Sequence, residues 1–155
     1  MRPSVVFAVQ AAGCAPIVRA FEEGRPVRAW ERPATRAGGI ADPLAGYEAD
    51  GDRTLAAVRA SGGAATAVAD VEIERAASDL ARRDGLAVEL AAAAAEAGRR
   101  RLAVDGRITP GEVCVVVLTG HALKDPPGAG EDASLGLVAP GDVEAARLLV
   151  RELMP

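Results

Sequence analysis

The sequence has few of the residue types on which common active sites depend. Its 155 residues include one histidine, two cysteines and four aromatic residues. His121 is the single histidine, and no serine occupies a G-x-S-x-G turn, so nothing beyond that histidine points to a hydrolase triad. Cys14 and Cys114 lie too far apart in sequence to indicate a disulfide framework or a zinc site. No metal site and no catalytic side chain is therefore predicted.

The sequence also gives no indication of a nucleic-acid or membrane partner. The net charge is −4, and the one basic run, Arg99–Arg101, is predicted to be a solvated helix face rather than a phosphate-binding surface. No G-x-G-x-x-G or P-loop motif is present. The longest alanine block, Ala91–Ala95, is far shorter than the roughly 20 residues that span a bilayer, and no basic leader precedes an apolar stretch. A cytoplasmic protein is expected.

Half of the residues are hydrophobic, mostly alanine, valine and leucine, and they occur as short apolar runs alternating with helical patterns. This alternation predicts an α/β domain with a parallel sheet spanning residues 1–155. The predicted strands are Ser4–Gln10, 65–69, 86–88 and Val113–Leu118. The predicted helices are 15–23, 53–61, 70–84 with Asp70 as its cap, about Leu90 to Asp105, and about Asp142 to Leu153, and the segment Arg25–Asp52 is expected to be a loop.

The stretch VCVVVLTGHALKDP, residues 113–126, resembles a buried strand that ends in a ligand-facing loop. In open α/β sheets, ligands lie beyond the carboxyl ends of the strands. Thr119 offers a neutral hydroxyl there, Gly120 permits close approach, and Glu89 follows the strand predicted at 86–88. These residues also have ordinary interpretations, since Thr119 could cap a turn, Gly120 could serve the turn itself, and Glu89 could lie at a helix N-terminus. Cys14 is expected to be a small buried residue rather than a reactive thiol.

Several segments, taken in order, resemble threonine synthase, a pyridoxal-phosphate (PLP) enzyme related to the tryptophan synthase β chain. The segments are VQAAGCAPIVRAFEEG, GIADPL, LAAVRASGGAATAVAD, EIERAASDLARRDGLAVE and GRITPGEVCVVVLTGHALKDP. The resemblance covers the chain from residue 4 to about 126 and corresponds to the C-terminal portion of that enzyme. It implies a three-layer, parallel-sheet half of a fold type II PLP enzyme, with a core at 1–126 and a loop and terminal helix at 127–155.

The resemblance implies PLP as cofactor, with the Thr119 hydroxyl facing the pyridine nitrogen, Glu89 at a strand end behind the ring, and Gly120 also among the cofactor-binding residues. A neutral hydroxyl at the ring nitrogen moderates the electron sink, which suits elimination and replacement chemistry. The implied reaction converts O-phospho-L-homoserine and water to L-threonine and phosphate. The chain departs from the family pattern after Glu89, where Leu-Ala-Ala replaces the usual proline and hydroxyl residue.

The resemblance also implies that groups needed to anchor PLP lie outside this sequence. Lys124 is the sole lysine, and it matches a Leu-Lys-Asp-Pro segment rather than the Schiff-base position. We therefore expect the chain to be inactive alone and to associate, either with an N-terminal half chain or as a homo-oligomer. Two other functions stay open: a non-catalytic binding or assembly protein with the same fold, and part of a PLP-dependent threonine or serine dehydratase.

Overall fold

The computed structural model describes residues 4–124, together with Glu144 and Arg147. The chain divides into two compact units, Met1–Asp125 and Pro126–Pro155. The first unit has the element order β1 (Ala8–Ala11), α1 (Pro16–Glu23), α2 (Glu48–Ala60), β2 (Ala65–Val68), α3 (Asp70–Asp79) and α4 (Leu90–Val104). In the second unit, Glu144 and Arg147 are both helical and exposed. The helix predicted at about Asp142 to Leu153 otherwise lies outside the described residues.

The sheet consists of β1 and β2, which pair in parallel with Ala8 opposite Ala65 and Ala11 opposite Val68. Helices cover both of its faces. Val9 contacts Gly98 of α4, whereas the neighbouring Gln10 accepts hydrogen bonds from the start of α1. Because successive side chains of a strand point to opposite faces, α1 and α4 lie on opposite sides of the sheet. The predicted three-layer α/β architecture with a parallel sheet is confirmed.

The helix ends follow local chemistry. Pro16 occupies the first turn of α1, where its missing N–H costs nothing, and the side-chain oxygen of Gln10 accepts from the N–H groups of Ile17 and Val18 at 2.9 and 3.1 Å. Gly24 ends α1 in the left-handed conformation that glycine adopts without strain, with φ of 65°. Gly85 ends the helical segment after α3 in the same way, through one π-helical turn at Leu80–Asp84.

The core is built largely from small aliphatic side chains. One buried cluster joins the sheet to α3 and α4, and a second lies between α1, α2 and the loop that links them. Alanines of α4 allow that helix to approach the sheet closely, as the alanine-rich composition predicts. The first cluster contains Ala11, Ala37, Val68, Ile73, Ala76, Ala93, Ala94 and Ala97, and the second contains Ala20, Val27, Leu44 and Leu55.

Three predictions of element bounds or caps are wrong. The first strand is paired over Ala8–Ala11 and not over Ser4–Gln10. Helix α2 begins at Glu48 rather than at residue 53, because Gly51 packs against Val27 inside the core and permits the helix to continue through it. Asp70 does not cap α3, because its carboxylate instead accepts hydrogen bonds from the Thr35 hydroxyl and the Arg36 N–H. The N-cap position belongs to Ala69, whose N–H donates to the carboxylate of Glu72 at 2.8 Å.

Two predicted strands do not form within the described residues. The segment 86–88 contributes a single antiparallel bridge between Val88 and His121. Residues 112–120 form neither helix nor paired strand. A strand requires a neighbour for its backbone groups, and the described part of the chain supplies none to this segment. The prediction of a buried strand at Val113–Leu118 is therefore wrong for the described structure.

Candidate functional site

The site predicted from sequence centres on the junction between residues 87–89 and 120–122. The Glu89 N–H donates to the Gly120 carbonyl at 3.0 Å, and the Ala122 N–H donates to the Ala87 carbonyl at 3.1 Å. These two bonds flank the Val88–His121 bridge and fix the Thr-Gly-His loop against the start of α4. Residues far apart in the sequence thereby become neighbours.

The Glu89 carboxylate lies directly against Gly120. A Cβ atom added to Gly120 would stand 2.6 Å from the Glu89 Cγ and closer still to its carboxylate. Glycine at this position is therefore required by close approach rather than by backbone conformation, since Gly120 has no positive φ. The loop and the acid are packed as one unit, as their predicted roles demand.

Lys124 completes this arrangement. Its ammonium nitrogen lies 3.4 Å from Oε2 and 3.5 Å from Oε1 of Glu89. The Glu89 side chain is 9% exposed and that of Lys124 is 71% exposed, so a buried carboxylate is paired with a cation that remains in water. Burying a carboxylate without a partner is costly, and Lys124 supplies the partner. Glu89 occupies the N-cap position of α4, as its ordinary interpretation as an acid at a helix N-terminus expects, although its carboxylate makes no side-chain capping bond.

Thr119 is exposed, and its hydroxyl makes no hydrogen bond to any of the residues that the structure describes. The turn after it is held instead by His121, whose Nδ1 accepts from the Leu123 N–H at 3.1 Å. Thr119 therefore does not cap this turn. None of the described residues engages its hydroxyl, and a ligand-facing role for Thr119 stays a prediction.

Sequence reasoning missed two neighbours of the site. Gly39 lies in the short 3-10 helix Gly38–Ile40, where an added Cβ would meet the Ala91 Cβ at 2.9 Å and the Glu89 Oε1 at 3.8 Å. Lys124 was noted only as the sole lysine, and not as the partner of Glu89. The available signal was the single lysine of the sequence, which follows Thr119 by five positions.

The basic run Arg99–Arg101 is paired with acids. Arg99 and Arg100 both bond to Glu96, Arg100 also reaches Asp79 at 2.6 Å, and Arg101 reaches Glu72 at 2.7 Å. Arg100 and Arg101 line a groove of about 620 Å³ between α3 and α4, whose wall carries four arginines and three acidic residues. Most of the positive charge of this groove is therefore compensated by carboxylates.

Three other features bear on the sequence predictions. Cys14 is fully buried, and burial followed by the nearby charge of Asp42 raises the pKa of its thiol, which leaves it unreactive as expected. Among the described residues, no three potential ligands cluster to form a metal site. No helix in the described part of the chain has the length and apolarity to cross a membrane. The cytoplasmic location stays a prediction.

Comparison with known proteins identifies the family. Residues 2–120 match the family described as "Pyridoxal-phosphate dependent enzyme". The chain belongs to this family. Its cofactor is pyridoxal phosphate, and the prediction of that cofactor is confirmed at this level.

Threonine synthases are prominent among the curated relatives. The chain is 39% identical over 140 residues to the threonine synthase of Methanosarcina acetivorans, which is 90% of this chain and 34% of the relative. It is 35% identical over 146 residues to that of Methanocaldococcus jannaschii, covering 94% of this chain and 35% of the relative. The predicted resemblance to a portion of threonine synthase is confirmed. The chain spans about a third of the length of these relatives.

A solved structure supports the fold. The crystal structure of a threonine deaminase from T.th. superposes with a TM-score of 0.52 at 24% identity, over 68% of this chain and 36% of the deaminase. At that identity the likeness concerns the fold alone.

The described residues fit one edge of PLP. An exposed hydroxyl at Thr119, unbonded to any described residue, suits the ring-nitrogen side of the cofactor, whereas the half-buried Gly120 lies against the Glu89 carboxylate. The described residues offer no free amine for covalent attachment, because their one lysine, Lys124, is paired with Glu89. They also contain no glycine-rich phosphate motif. The assignment of Thr119, Gly120 and Glu89 to the cofactor stays a prediction.

Proposed function

We propose that this chain is the C-terminal portion of a threonine synthase-like PLP-dependent lyase, which converts O-phospho-L-homoserine and water to L-threonine and phosphate. The observation that carries the proposal is the 35–39% identity to threonine synthases over 90–94% of the chain. Since the chain spans only about a third of those relatives, it is active only together with the remaining two thirds of the family sequence.

Three residues of this chain shape the ring-nitrogen side of the site. Bound PLP supplies an electron sink for bond cleavage at the substrate. Thr119 positions the ring nitrogen through a hydroxyl that carries no charge and leaves that nitrogen less protonated than a carboxylate would. Gly120 lets the Glu89 carboxylate pack against the loop, where a Cβ atom would collide with it. Glu89 backs the loop, and its ion pair with Lys124 compensates its charge.

An absorbance titration tests the proposal. The purified chain is mixed with PLP alone and then with a polypeptide that carries the unmatched two thirds of the Methanosarcina acetivorans enzyme. We expect the PLP spectrum to change and phosphate to be released from O-phospho-L-homoserine only in the mixture. No spectral change and no phosphate release under either condition would contradict the proposal.

Two matched variants test whether the Thr119 hydroxyl contributes to the rate of phosphate release. Thr119→Val keeps the shape and removes the hydroxyl, so phosphate release should fall by about tenfold or more, which corresponds to about 1.4 kcal/mol of barrier. Thr54→Val, on the exposed surface of α2, is the control and should leave the rate unchanged. Equal rates for both variants would remove Thr119 from the site.

A non-catalytic binding or assembly protein is the second proposal. It is favoured by the Leu-Ala-Ala sequence after Glu89, which lacks hydrogen-bonding groups, and by the engagement of Glu89 with Lys124. Under this proposal the mixture forms a complex that changes neither the PLP spectrum nor the substrate. A dehydratase is distinguished by the release of ammonia from threonine or serine in place of phosphate release.

A further inference from the structure

The segment from Ala34 to Ile40, which we call the crossing loop, passes over the carboxyl ends of both strands. At β1, the Ala34 N–H donates to the carbonyl of Gly13, just past the strand, at 3.0 Å. At β2, the loop meets Asp70, which follows the strand and begins α3. Ligands of open α/β sheets lie beyond this edge. The crossing loop is therefore placed where it can shape a ligand site.

Asp70 uses both of its carboxylate oxygens to hold the crossing loop. Oδ1 accepts from the Thr35 hydroxyl at 2.5 Å, and Oδ2 accepts from the Arg36 N–H at 2.9 Å. The Thr35 oxygen also accepts from the Ala37 N–H at 3.1 Å, so this hydroxyl links the carboxylate to the turn that follows. Hydrogen bonds to an ionised acceptor are about twice as strong as neutral ones. The bond from Thr35 accordingly lowers the pKa of Asp70.

The far end of the crossing loop packs against the acid of the candidate site. Ala37 is buried in the first core cluster and Ile40 packs against that cluster. Between them, Gly39 lies so close to α4 that an added Cβ would stand 2.9 Å from the Ala91 Cβ and 3.8 Å from the Glu89 Oε1. Contacts are therefore continuous from the start of α3, through the loop, to the carboxylate of Glu89.

We propose that Asp70 is a positioning residue of the candidate site, which acts through Thr35 to hold the crossing loop against Glu89. The inference rests on the proposed function, because it assigns Asp70 to the site that holds PLP. The Gly38–Gly39 pair leaves the loop with little conformational restraint of its own, so its position depends on bonds from outside. A carboxylate supplies two acceptor oxygens for this purpose, whereas an asparagine would supply one and turn a donor toward the loop.

A purely structural tie between the crossing loop and α3 is the alternative. The ion pair of Arg36 with Glu74 is such a tie, since it joins the same loop to the same helix through side chains that are 66% and 35% exposed. Exposed ion pairs contribute little to stability. Glu74→Gln is therefore a matched control for Asp70→Asn, because each variant removes one negative charge from α3 and one partner from the loop.

Hydrogen exchange followed by nuclear magnetic resonance tests the positioning step on the full chain without cofactor. The reporters are the N–H groups of Glu89 and Ala122, which donate the two hydrogen bonds of the junction. Thr35→Val and Asp70→Asn should each speed their exchange at least about tenfold relative to the amides of α1, on the other face of the sheet. Thr35→Ser, which keeps the hydroxyl, and Glu74→Gln should stay within about threefold of the unmodified chain.

An absorbance titration with PLP tests the consequence for the cofactor. It uses the chain mixed with the complementary two thirds of the Methanosarcina acetivorans threonine synthase. Thr35→Val and Asp70→Asn should each raise the PLP dissociation constant at least about fivefold. The double variant should raise it little further, because both substitutions remove the same link. Thr35→Ser and Glu74→Gln should change it less than about twofold, whereas a tie that served stability alone would leave the constant unchanged in every variant.

Three outcomes overturn the inference. They are unchanged exchange at Glu89 and Ala122 in both Thr35→Val and Asp70→Asn, equal effects of Asp70→Asn and Glu74→Gln, and unchanged PLP affinity in both Thr35→Val and Asp70→Asn when the unmodified mixture binds PLP. Circular dichroism checks that each variant is folded, and if Thr35→Val does not fold, Asp70→Asn carries the comparison. If the unmodified mixture neither binds PLP nor releases phosphate while the exchange results are as expected, the proposed function is refuted and the link from Asp70 to Glu89 stands.

Discussion

Gly98 of α4 gives the sharpest test of the packing, because two physical effects oppose each other there. Glycine within a helix costs about 1 kcal/mol relative to alanine, so Gly98→Ala should stabilise α4 on propensity alone. The close packing of Gly98 against Val9 has the opposite effect on stability. An added Cβ would lie 2.7 Å from the Val9 Cγ1, 3.0 Å from its Cβ, and closer to its Cγ2.

The collision should outweigh the propensity. Val9 belongs to β1, whose backbone is fixed by pairing with β2, and a β-branched side chain has little rotamer freedom with which to move aside. Overpacking of this kind costs about 1–3 kcal/mol, here at the upper end because three atoms of one rigid side chain are involved. We expect Gly98→Ala to lower the free energy of unfolding by about 1–2 kcal/mol net. Since α4 begins directly after Glu89, its displacement should also disturb the candidate site.

Denaturant unfolding followed by circular dichroism measures the effect. In a Val9→Ala background the two γ-methyl groups are gone, so Gly98→Ala should become neutral or stabilising by up to about 1 kcal/mol. Ala103→Gly, on the exposed side of α4, should lose about 1 kcal/mol and shows that helix propensity is measurable in this helix. If Gly98→Ala stabilises the unmodified chain by about 1 kcal/mol, the close approach of α4 to β1 is wrong.

Three further predictions concern charge and the site. The hydrogen bond from Arg99 lowers the pKa of Glu96, so the contribution of Glu96 to stability is present above its unfolded pKa of about 4.3 and is lost as the pH falls through its folded pKa. Glu96→Gln should therefore reduce the loss of stability with falling pH in a stability–pH curve. An unchanged acid side of that curve would refute this prediction. Gly120→Ala should displace the carboxylate of Glu89 and destabilise the chain by about 1–3 kcal/mol, measured by denaturant unfolding against the unmodified protein. Borohydride reduction of the isolated chain with PLP should leave Lys124 without stoichiometric label by mass spectrometry; full labelling that is lost in Lys124→Arg would place the anchoring amine in this chain after all.

The sequence correctly predicted the elements that are set by residues within a few positions of one another. Gly24 and Gly85 end helical segments because a left-handed residue is required there. The alanine-rich run from Leu90 predicted α4 to within one residue of its end, since helix propensity and period agree along it. The β-branched runs predicted β1 and β2, although the paired part of the first is shorter than the apolar pattern.

The elements that were predicted wrongly depend on contacts between residues far apart in the sequence. Helix α2 extends back to Glu48 because Gly51 packs in the core and the Asp52 carboxylate accepts from the Val27 N–H at 2.8 Å. Composition alone marked this region as a loop, since Asp-Gly pairs usually form turns. Likewise, the apolar pattern of Val113–Leu118 indicates a buried strand. A strand also needs a neighbour with which to pair, and the described residues provide none.

The sequence by itself determined the α/β class, the glycine-terminated ends at Gly24 and Gly85, and the residue types of the loop at Thr119, because these depend on propensity, period and turn chemistry within a few positions. It also carried the family likeness, which rests on the order of its motifs. Only the tertiary structure decided that Glu89 packs against Gly120 and pairs with Lys124, and that the valines of residues 113–117 lie largely exposed. Glu89 and Lys124 are separated by 35 positions, and no periodicity relates two residues that meet only after the chain has folded around its core.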